Sequence, residues 1–188
     1  MTRCQSGRDV VIATERTTLV SWRLDHRPSF DALHADPYAM RFLGGPLAPD
    51  ECEAKMRRYS EAERDAGICR WAVEDLAGDL LGYCGVMPQS DPEHPLGVHY
   101  DIGWSFFPHV WGRGFATESA EAAITHAARI LDETPILAYT DPANARSIAV
   151  MDRLHLTRRD ELDFVHRYPT GDWHGLVWVD GTVTLPHE

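Results

Sequence analysis

The sequence is short of basic charge and contains a single lysine. It has 18 Lys and Arg residues against 29 Asp and Glu residues, which gives a formal net charge of −11. Binding to a phosphate backbone normally needs a clustered basic surface, so this composition argues against a nucleic-acid partner. An acidic surface suits a cationic or amine substrate better. Lys55 is the only lysine and all other basic residues are arginine, a bias that indicates codon usage rather than chemistry.

The sequence also lacks the patterns typical of disulfide-rich, metal-binding and membrane proteins. Its four cysteines contain no C-x-x-C pair, so neither a zinc site nor a disulfide framework is indicated. The ten histidines include no H-E-x-x-H pair, and we expect no metal. No stretch approaches the ~18 apolar residues of a membrane span, and the N-terminus lacks the apolar core of a signal peptide. These absences predict a cytoplasmic protein with no membrane partner.

The length of 188 residues and the hydrophobic content of 44% predict one domain with a sizeable core. We assign this domain to residues 1–188, with residues 1–11 as a loosely ordered N-terminal segment. The predicted strands are 12–24, 69–74, 80–86, 98–106, 135–140, 158–166 and 173–179, and the predicted helices are 30–34, 37–42, 49–66, 115–131 and 144–154. This order predicts an α/β (α+β) fold with a mixed, mostly antiparallel central sheet of about seven strands and flanking helices.

The segment from Asp101 to Glu118 is the most informative one, because a predicted strand leads through a short glycine-containing loop into a helix. Gly112 and Gly114 would let the backbone approach a ligand closely, and a helix N-terminus offers free amides and a partial positive charge. The segment therefore predicts a phosphate or pyrophosphate site, although two glycines in this spacing can also serve only to shape a tight turn.

Two competing phosphate motifs do not fit the loop. A P-loop needs Lys-Ser or Lys-Thr after its last glycine, but Phe115 and Ala116 follow Gly114. A Rossmann fingerprint needs a small residue where Thr117 stands, and its glycines come directly after the first strand of the fold. Here they come late in the chain.

The stretch from Trp111 to Ala116, WGRGFA, resembles the R/Q-x-x-G-x-G/A acyl-CoA loop of the GCN5-related N-acetyltransferases, the GNAT family. The resemblance covers almost the whole chain. Within the family, the chain is similar to the RimJ/RimL-like branch. It extends over Met40–Gly45, Asp101–Trp104, Phe115–Glu118 and Asp141–Ser147. It implies a GNAT fold, acetyl-CoA as co-substrate and an amine as acceptor.

The resemblance also implies which residues bind the coenzyme. They are Phe106, Phe107, Trp111, Gly112, Arg113, Gly114, Phe115, Ala116, Thr117 and Asn144. A main-chain amide near Phe106, where the family's fourth strand separates from the fifth, is implied to contact the thioester carbonyl. Two positions depart from the family pattern. Trp111 stands in place of Gln or Arg, and His155 stands where the family usually has a glycine at the helix end, a conformation that His tolerates better than most residues.

Acetyl transfer to an amine needs a base for the amine and an acid for the departing thiolate. Asp101 lies thirteen positions before Gly114, where histone-type members of the family carry a catalytic glutamate. Its side chain is one methylene shorter, so we expect it to act through a water. The alternative is an ordinary carboxylate at the edge of a strand. Rival groups are Tyr100, His99 and His109.

The pattern Asn144-x-x-Ser147 resembles the family's N-x-x-S, which implies Asn144 as a coenzyme ligand and Ser147 as the acid. Both residues also suit the first turn of a helix, where Asn144 would be the N-cap. Cys69 and Cys84 fall on apolar strands and are predicted to be inert, so direct transfer in a ternary complex is favoured over a covalent intermediate.

The sequence does not identify the amine that accepts the acetyl group. Selectivity is implied to lie in residues 28–66 and 88–95, with Phe42, Trp71, Asp91 and Trp104 as residues that could line the acceptor pocket. The acceptor is an amine of a protein N-terminus or of a small molecule. Antibiotic or xenobiotic amine acetylation and a non-catalytic acyl-CoA-binding regulatory module are the alternatives, and a homodimer is left open.

Overall fold

Nine strands pair in the computed structural model, which describes residues 10–132, 134–168 and 171–180. The strands are β1 (Val10–Ala13), β2 (Thr17–Val20), β3 (Trp71–Asp75), β4 (Leu80–Gln89), β5 (His99–Phe106), β6 (Ile136–Thr140), β7 (Thr157–Arg158), β8 (Phe164–Tyr168) and β9 (Gly171–Val179). The order across the sheet is β1-β2-β3-β4-β5-β6-β9-β7, and β8 pairs with the first half of β9.

Five α-helices flank the sheet in the described residues. They are α1 (Arg27–Ala35), α2 (Pro37–Met40), α3 (Pro49–Ala66), α4 (Phe115–Ala128) and α5 (Ala145–Arg153). The predicted bounds of α3 are confirmed at both ends. Pro49 opens the helix, the Ala48 amide donates to Glu51 Oε2 at 2.7 Å, and Gly67 ends it with a φ of 70°.

The predicted fold class is confirmed, but the strand count differs. All sheet pairs are antiparallel except β5 with β6, which are parallel and joined through α4. The strand predicted over residues 12–24 is broken at a turn in which Thr14 and Thr17 bond each other, giving β1 and β2. The strand predicted over residues 158–166 is broken by a 3-10 turn at Asp160–Leu162, giving β7 and β8.

The N-terminal segment predicted over residues 1–11 is only partly covered. Val10 and Val11 belong to β1, and residues 1–9 lie outside the described residues. The assignment of the whole chain to one domain stays a prediction. Over the described ranges, none of the helices combines the length and the apolar character needed to cross a bilayer.

Helix α4 packs on β4 and β5 through small side chains, as its sequence predicts. Ala120, Ala123 and Ala127 are fully buried beneath it, so the helix axis can approach the sheet closely. The core continues into the strand residues Val86, Ile102 and Phe106. This packing fixes the start of α4 beside the end of β5.

Strands β5 and β6 separate soon after they pair. The parallel register joins only Tyr100 to Ile136 and Asp101 to Leu137. Beyond these pairs, β5 stays bonded to β4 as far as Phe106, whereas β6 pairs with β9 as far as Thr140. A gap therefore opens between the ends of two neighbouring strands.

The end of α5 confirms the interpretation of His155. The His155 amide donates to Asp152 O, and the Leu156 amide donates to Met151 O, which is the pattern of a Schellman cap. His155 is the residue after the C-cap and has a φ of 56°. A side chain thus occupies a position that favours glycine.

We predict that His155→Gly stabilises the fold by about 0.5–1 kcal/mol. A left-handed residue with a Cβ costs about 1–2 kcal/mol, and the extra freedom of glycine in the unfolded chain returns about 0.4–1 kcal/mol of this. Urea unfolding at neutral pH measures the difference. His155→Ala is the matched control, because it removes the exposed imidazole but keeps the Cβ. Equal stabilisation by both variants would contradict the backbone explanation.

Candidate active site

A cavity of about 1150 Å³ runs through the gap between β5 and β6. It is lined by the end of β5, the loop before α4, the first turns of α4 and α5, and parts of α2 and α3. Most of the residues predicted for the site line it. They are Asp101, Phe106, Trp111, Gly112, Gly114, Phe115, Ala116, Thr117, Asn144 and Ser147.

Phe107 and Arg113 are the two predicted site residues that do not line the cavity. The Phe107 amide donates to Leu81 O at 3.0 Å, and its ring packs beside His109. The Arg113 guanidinium lies over the Phe115 ring at 4.9 Å.

The loop before α4 has the geometry of an anion site at a helix N-terminus. Gly112 and Gly114 have φ values of 76° and 84°, so both glycines also shape the turn. The first bond of the helix runs from the Glu118 amide to Gly114 O, which leaves the amides of Phe115, Ala116 and Thr117 without partners inside the helix. These amides and the helix dipole favour a bound phosphate group.

A carboxylate in the first turn of α4 clamps this loop to the β1–β2 turn. Glu118 accepts hydrogen bonds from the Thr14 hydroxyl at 2.6 Å and from the Arg16 amide at 2.8 Å, and Arg16 Nη2 lies 2.6 Å from its other oxygen. The Arg16 guanidinium also donates to Arg113 O at 2.8 Å. Partial burial alone would raise the pKa of Glu118, but these hydrogen bonds outweigh it and hold the pKa below its ordinary value.

Trp111 fixes the other side of the loop. Its indole Nε1 donates to Phe106 O at 2.8 Å, so the loop is tied to the end of β5. The guanidinium groups of Arg41 and Arg146 lie over its ring at 5.4 and 4.9 Å. Trp111 therefore makes cation–π contacts with both Arg41 and Arg146.

Four arginines were not predicted as site residues although they line the cavity: Arg41, Arg70, Arg146 and Arg153. Arg41 and Arg146 belong to stretches that carry the family resemblance, but arginine is the common basic residue of this chain and does not stand out. Arg41, Arg146 and Arg153 form a basic wall of the cavity, which suits a ligand with several phosphates.

The end of β5 offers a backbone donor to the gap. Successive amides of a strand point to opposite sides, and the Phe107 amide is bonded to β4 through Leu81 O. The Phe106 amide therefore points away from β4, toward the side from which β6 has diverged. Phe106 lines the cavity at this point.

Asn144 orients Ser147 at the start of α5. The Asn144 Oδ1 caps the helix by accepting from the Ser147 amide at 3.4 Å, and its Nδ2 donates to Thr140 Oγ1 at 2.9 Å and to Ser147 Oγ at 3.0 Å. Because Ser147 Oγ accepts this bond, its own proton is directed elsewhere. Both residues line the cavity, so the hydroxyl proton is available to a group bound there.

Asp101 forms a buried ion pair with Arg70, the residue before β3. Arg70 Nη2 donates to Asp101 Oδ2, and the side chain of Asp101 is only 8% exposed. The rival groups Tyr100, His99 and His109 do not line the cavity, whereas Asp101 does. His99 Nδ1 lies 2.8 Å from Gly97 O, which holds its ring within its own loop.

The far end of the cavity collects residues from the segments assigned to the acceptor. Asp91 and Trp104 line it, as expected, and Phe42 lines the cavity nearer the loop, beside Arg41. The expectation for Trp71 is wrong, because the alternation of β3 turns its side chain into the core, where its ring meets His126 at 5.4 Å. Rings from the other side of the gap complete this end: His94, Tyr139, Phe164, His166 and Trp173.

The three cysteines in the part of the chain that the structure describes, Cys52, Cys69 and Cys84, do not line the cavity. Burial raises the pKa of the Cys69 and Cys84 thiols well above its ordinary value, which keeps them protonated at neutral pH. Among the described residues, no group of three or more His, Cys, Asp and Glu side chains could hold a metal ion. The expectation that no metal takes part stays a prediction.

Comparison with known proteins agrees with this geometry. A family model described as "Acetyltransferase (GNAT) domain" matches residues 16–157. YkkB of Bacillus subtilis is 28% identical over 131 residues, which cover 69% of this chain and 74% of YkkB. The FsC-acetyl coenzyme A-N(2)-transacetylase of Aspergillus fumigatus is 28% identical over 163 residues, which cover 84% of this chain and 68% of that protein.

Solved structures share the fold. An acetyltransferase from Agrobacterium tumefaciens superposes with a TM-score of 0.74 at 23% identity, covering 90% of this chain and 92% of that one. The RimL ribosomal L7/L12 alpha-N-protein acetyltransferase superposes with a TM-score of 0.72 at 18% identity, covering 96% and 98% of the two chains. Because the family model spans most of the sequence, the chain belongs to the GNAT family and is an acetyl-CoA-dependent acyltransferase.

Proposed function

We propose that the protein transfers an acetyl group from acetyl-CoA directly to an amine of a small molecule or a protein N-terminus within a ternary complex. The observation that carries the proposal is the continuous cavity, which joins the anion site of α4 to the Arg70–Asp101 pair through the gap between β5 and β6. A second cavity of about 460 Å³ also borders Arg70 and Asp101, from the side of α3. Two substrates could thus reach one point from two sides.

The coenzyme fits the loop end of the cavity. In this proposal its pyrophosphate accepts hydrogen bonds from the first amides of α4, and its other charges lie near the basic wall of Arg41, Arg146 and Arg153. RimL has been crystallised with coenzyme A, and the name of the Aspergillus relative includes acetyl coenzyme A. Both names are consistent with this role.

The chemistry is assigned to three groups at the gap. The amine attacks the thioester carbonyl, and the Phe106 amide stabilises the oxyanion that forms. The amine proton passes through a water to Asp101, whose Oδ1 is the candidate acceptor because Oδ2 already holds Arg70. The C–S bond then breaks, and Ser147 Oγ–H protonates the thiolate while Asn144 holds the hydroxyl in place.

The alternative acceptor of aminoglycoside type receives little support from the main cavity. A polycationic acceptor requires an acidic groove, but once the three arginines assigned to the coenzyme are set aside, two basic and two acidic residues line the main cavity. The basic residues are Lys55 and Arg70, and the acidic ones are Asp91 and Asp101. The non-catalytic module is disfavoured by membership in a family of acetyltransferases.

We predict that Gly112→Asp weakens coenzyme A binding at least about tenfold. The new carboxylate would stand in open space beside the anion site, and like charges near a protein surface repel by about 1–4 kcal/mol at close range. Calorimetric titration of coenzyme A into folded variants measures the affinity. Gly97→Asp is a matched control, because Gly97 is also left-handed with open space around it but lies outside the cavity. Equal affinity for both variants would mean that the loop is only a turn.

We predict that Ser147→Ala lowers kcat by a factor of ~10²–10⁴ with little change in acetyl-CoA affinity, as for the loss of a general acid. The stability cost should stay near ~1 kcal/mol, because Asn144 keeps its bond to Thr140. Thiol release with an accepted amine, coenzyme titration and thermal melting separate these quantities. Ser60→Ala removes a serine hydroxyl from α3 outside the cavity and serves as control. Normal turnover of Ser147→Ala would refute the acid assignment.

A further inference from the structure

Arg70 is a buried cation with more hydrogen-bond donors than partners. Its guanidinium lies flat against β5 where Gly103 leaves room, since a Cβ at Gly103 would come within 2.6 Å of the guanidinium carbon. One nitrogen donates to Asp101, but the buried Nε has no partner among the described residues. Buried polar groups are nearly always hydrogen-bonded, so an unmatched donor in a cavity wall indicates a bound group.

Lys55 stands beside Arg70 without a carboxylate of its own. It projects from α3 into the same cavity, with its Nζ 5.9 Å from the Tyr83 ring. The ion pairs of residues 10–132, 134–168 and 171–180 include none with Lys55. Burial lowers the pKa of Lys55, the neighbouring Tyr59 opposes this shift, and the nearby cations of Arg70 and Arg58 add to it.

The corner of the main cavity formed by Lys55, Arg70 and Asp101 carries two positive charges and one negative charge, which gives a net charge of +1. Arg58 does not line the main cavity, but it adds positive potential at Lys55. The remaining acidic residue of the wall, Asp91, is exposed and accepts the Glu93 amide in its own turn. A ligand with a single negative charge would balance the corner, whereas a phosphate with about two charges would exceed it.

We propose that the acceptor is a small amine that also carries a carboxylate close to the amine, as an amino acid does, and that Lys55 and Arg70 bind this carboxylate. This inference rests on the proposed amine acetylation. The planar guanidinium and the ammonium group are both suited to a carboxylate, and the position of the Arg70 guanidinium against β5 brings the ligand next to the gap where the amine must attack. The single lysine, which the composition gave no role, becomes a specificity residue.

Matched substrates test the proposal. Thiol release from acetyl-CoA is followed with amino acids, with the same amino acids as carboxamides, and with the corresponding decarboxylated amines. We expect kcat/KM to be about 10- to 100-fold higher for the best amino acid than for its carboxamide, which is the range of a hydrogen bond to a charged group. The readout is the ratio of the two kcat/KM values, because this ratio isolates the carboxylate.

Variants of Lys55 link the preference to the site. Lys55→Gln should reduce the ratio toward one, and Lys55→Arg should retain most of it. Arg57→Gln removes a positive charge from the exposed face of the same helix and should leave the ratio unchanged. Arg70 is not replaced, because its loss would leave Asp101 buried without a partner.

Three results would overturn the inference. Carboxamides or decarboxylated amines that react as well as the amino acids would show that no carboxylate is bound. Equal losses for both substrate types in Lys55→Gln, with an unchanged ratio, would mean that Lys55 acts on the amine instead. A protein that binds coenzyme A but acetylates none of these amines would overturn the inference. If it also fails to acetylate peptide N-termini, the proposed function is refuted as well, whereas the first two results would leave amine acetylation intact.

Discussion

The early separation of β5 from β6 is the constraint on which the site depends. Two parallel strands normally continue their hydrogen bonds along their shared length, but here only two residue pairs are formed before β6 turns to β9. The unpaired backbone of β5 must then find other partners, since buried amides are costly when unmatched. A bound acyl group at the Phe106 amide would satisfy one of them. The gap in the sheet therefore also provides the backbone donor that the catalytic proposal requires.

Local sequence signals predicted most of the elements. Helix α3 is bounded by Pro49 and Gly67, which are strong start and stop residues, and both of its bounds were predicted. The two strands that were predicted too long lack such signals. The turn between β1 and β2 consists of Thr, Glu and Arg residues, and it is held by side-chain bonds of Thr14 and by the distant Glu118. Because Glu118 is far from Thr14 in the sequence, no local sequence pattern indicates their contact.

The site residues also fall into two groups, those that a local sequence motif indicates and those that only the fold brings together. The residues from Phe106 to Thr117 and from Asn144 to Ser147 are close in sequence, so their motifs could be recognised, and the structure brings both groups to one cavity. Their catalytic and binding roles stay predictions. The Arg70–Asp101 pair joins residues 31 positions apart, and the Arg16–Glu118 clamp joins residues 102 positions apart. These partners were missed because only the folded sheet makes them neighbours.

The net charge of the chain does not describe the charge of its main cavity, for a physical reason. The chain carries −11 overall, which suggested a cationic or amine substrate, and its main cavity is lined by five basic and two acidic residues. Exposed charges are screened over about 8–10 Å in physiological salt, whereas charges in a partly buried wall act at short range in a medium of lower dielectric constant. A ligand in the cavity therefore responds to Lys55, Arg70 and the three arginines near the loop. An acidic surface and a cavity lined mainly by basic residues are compatible in one molecule.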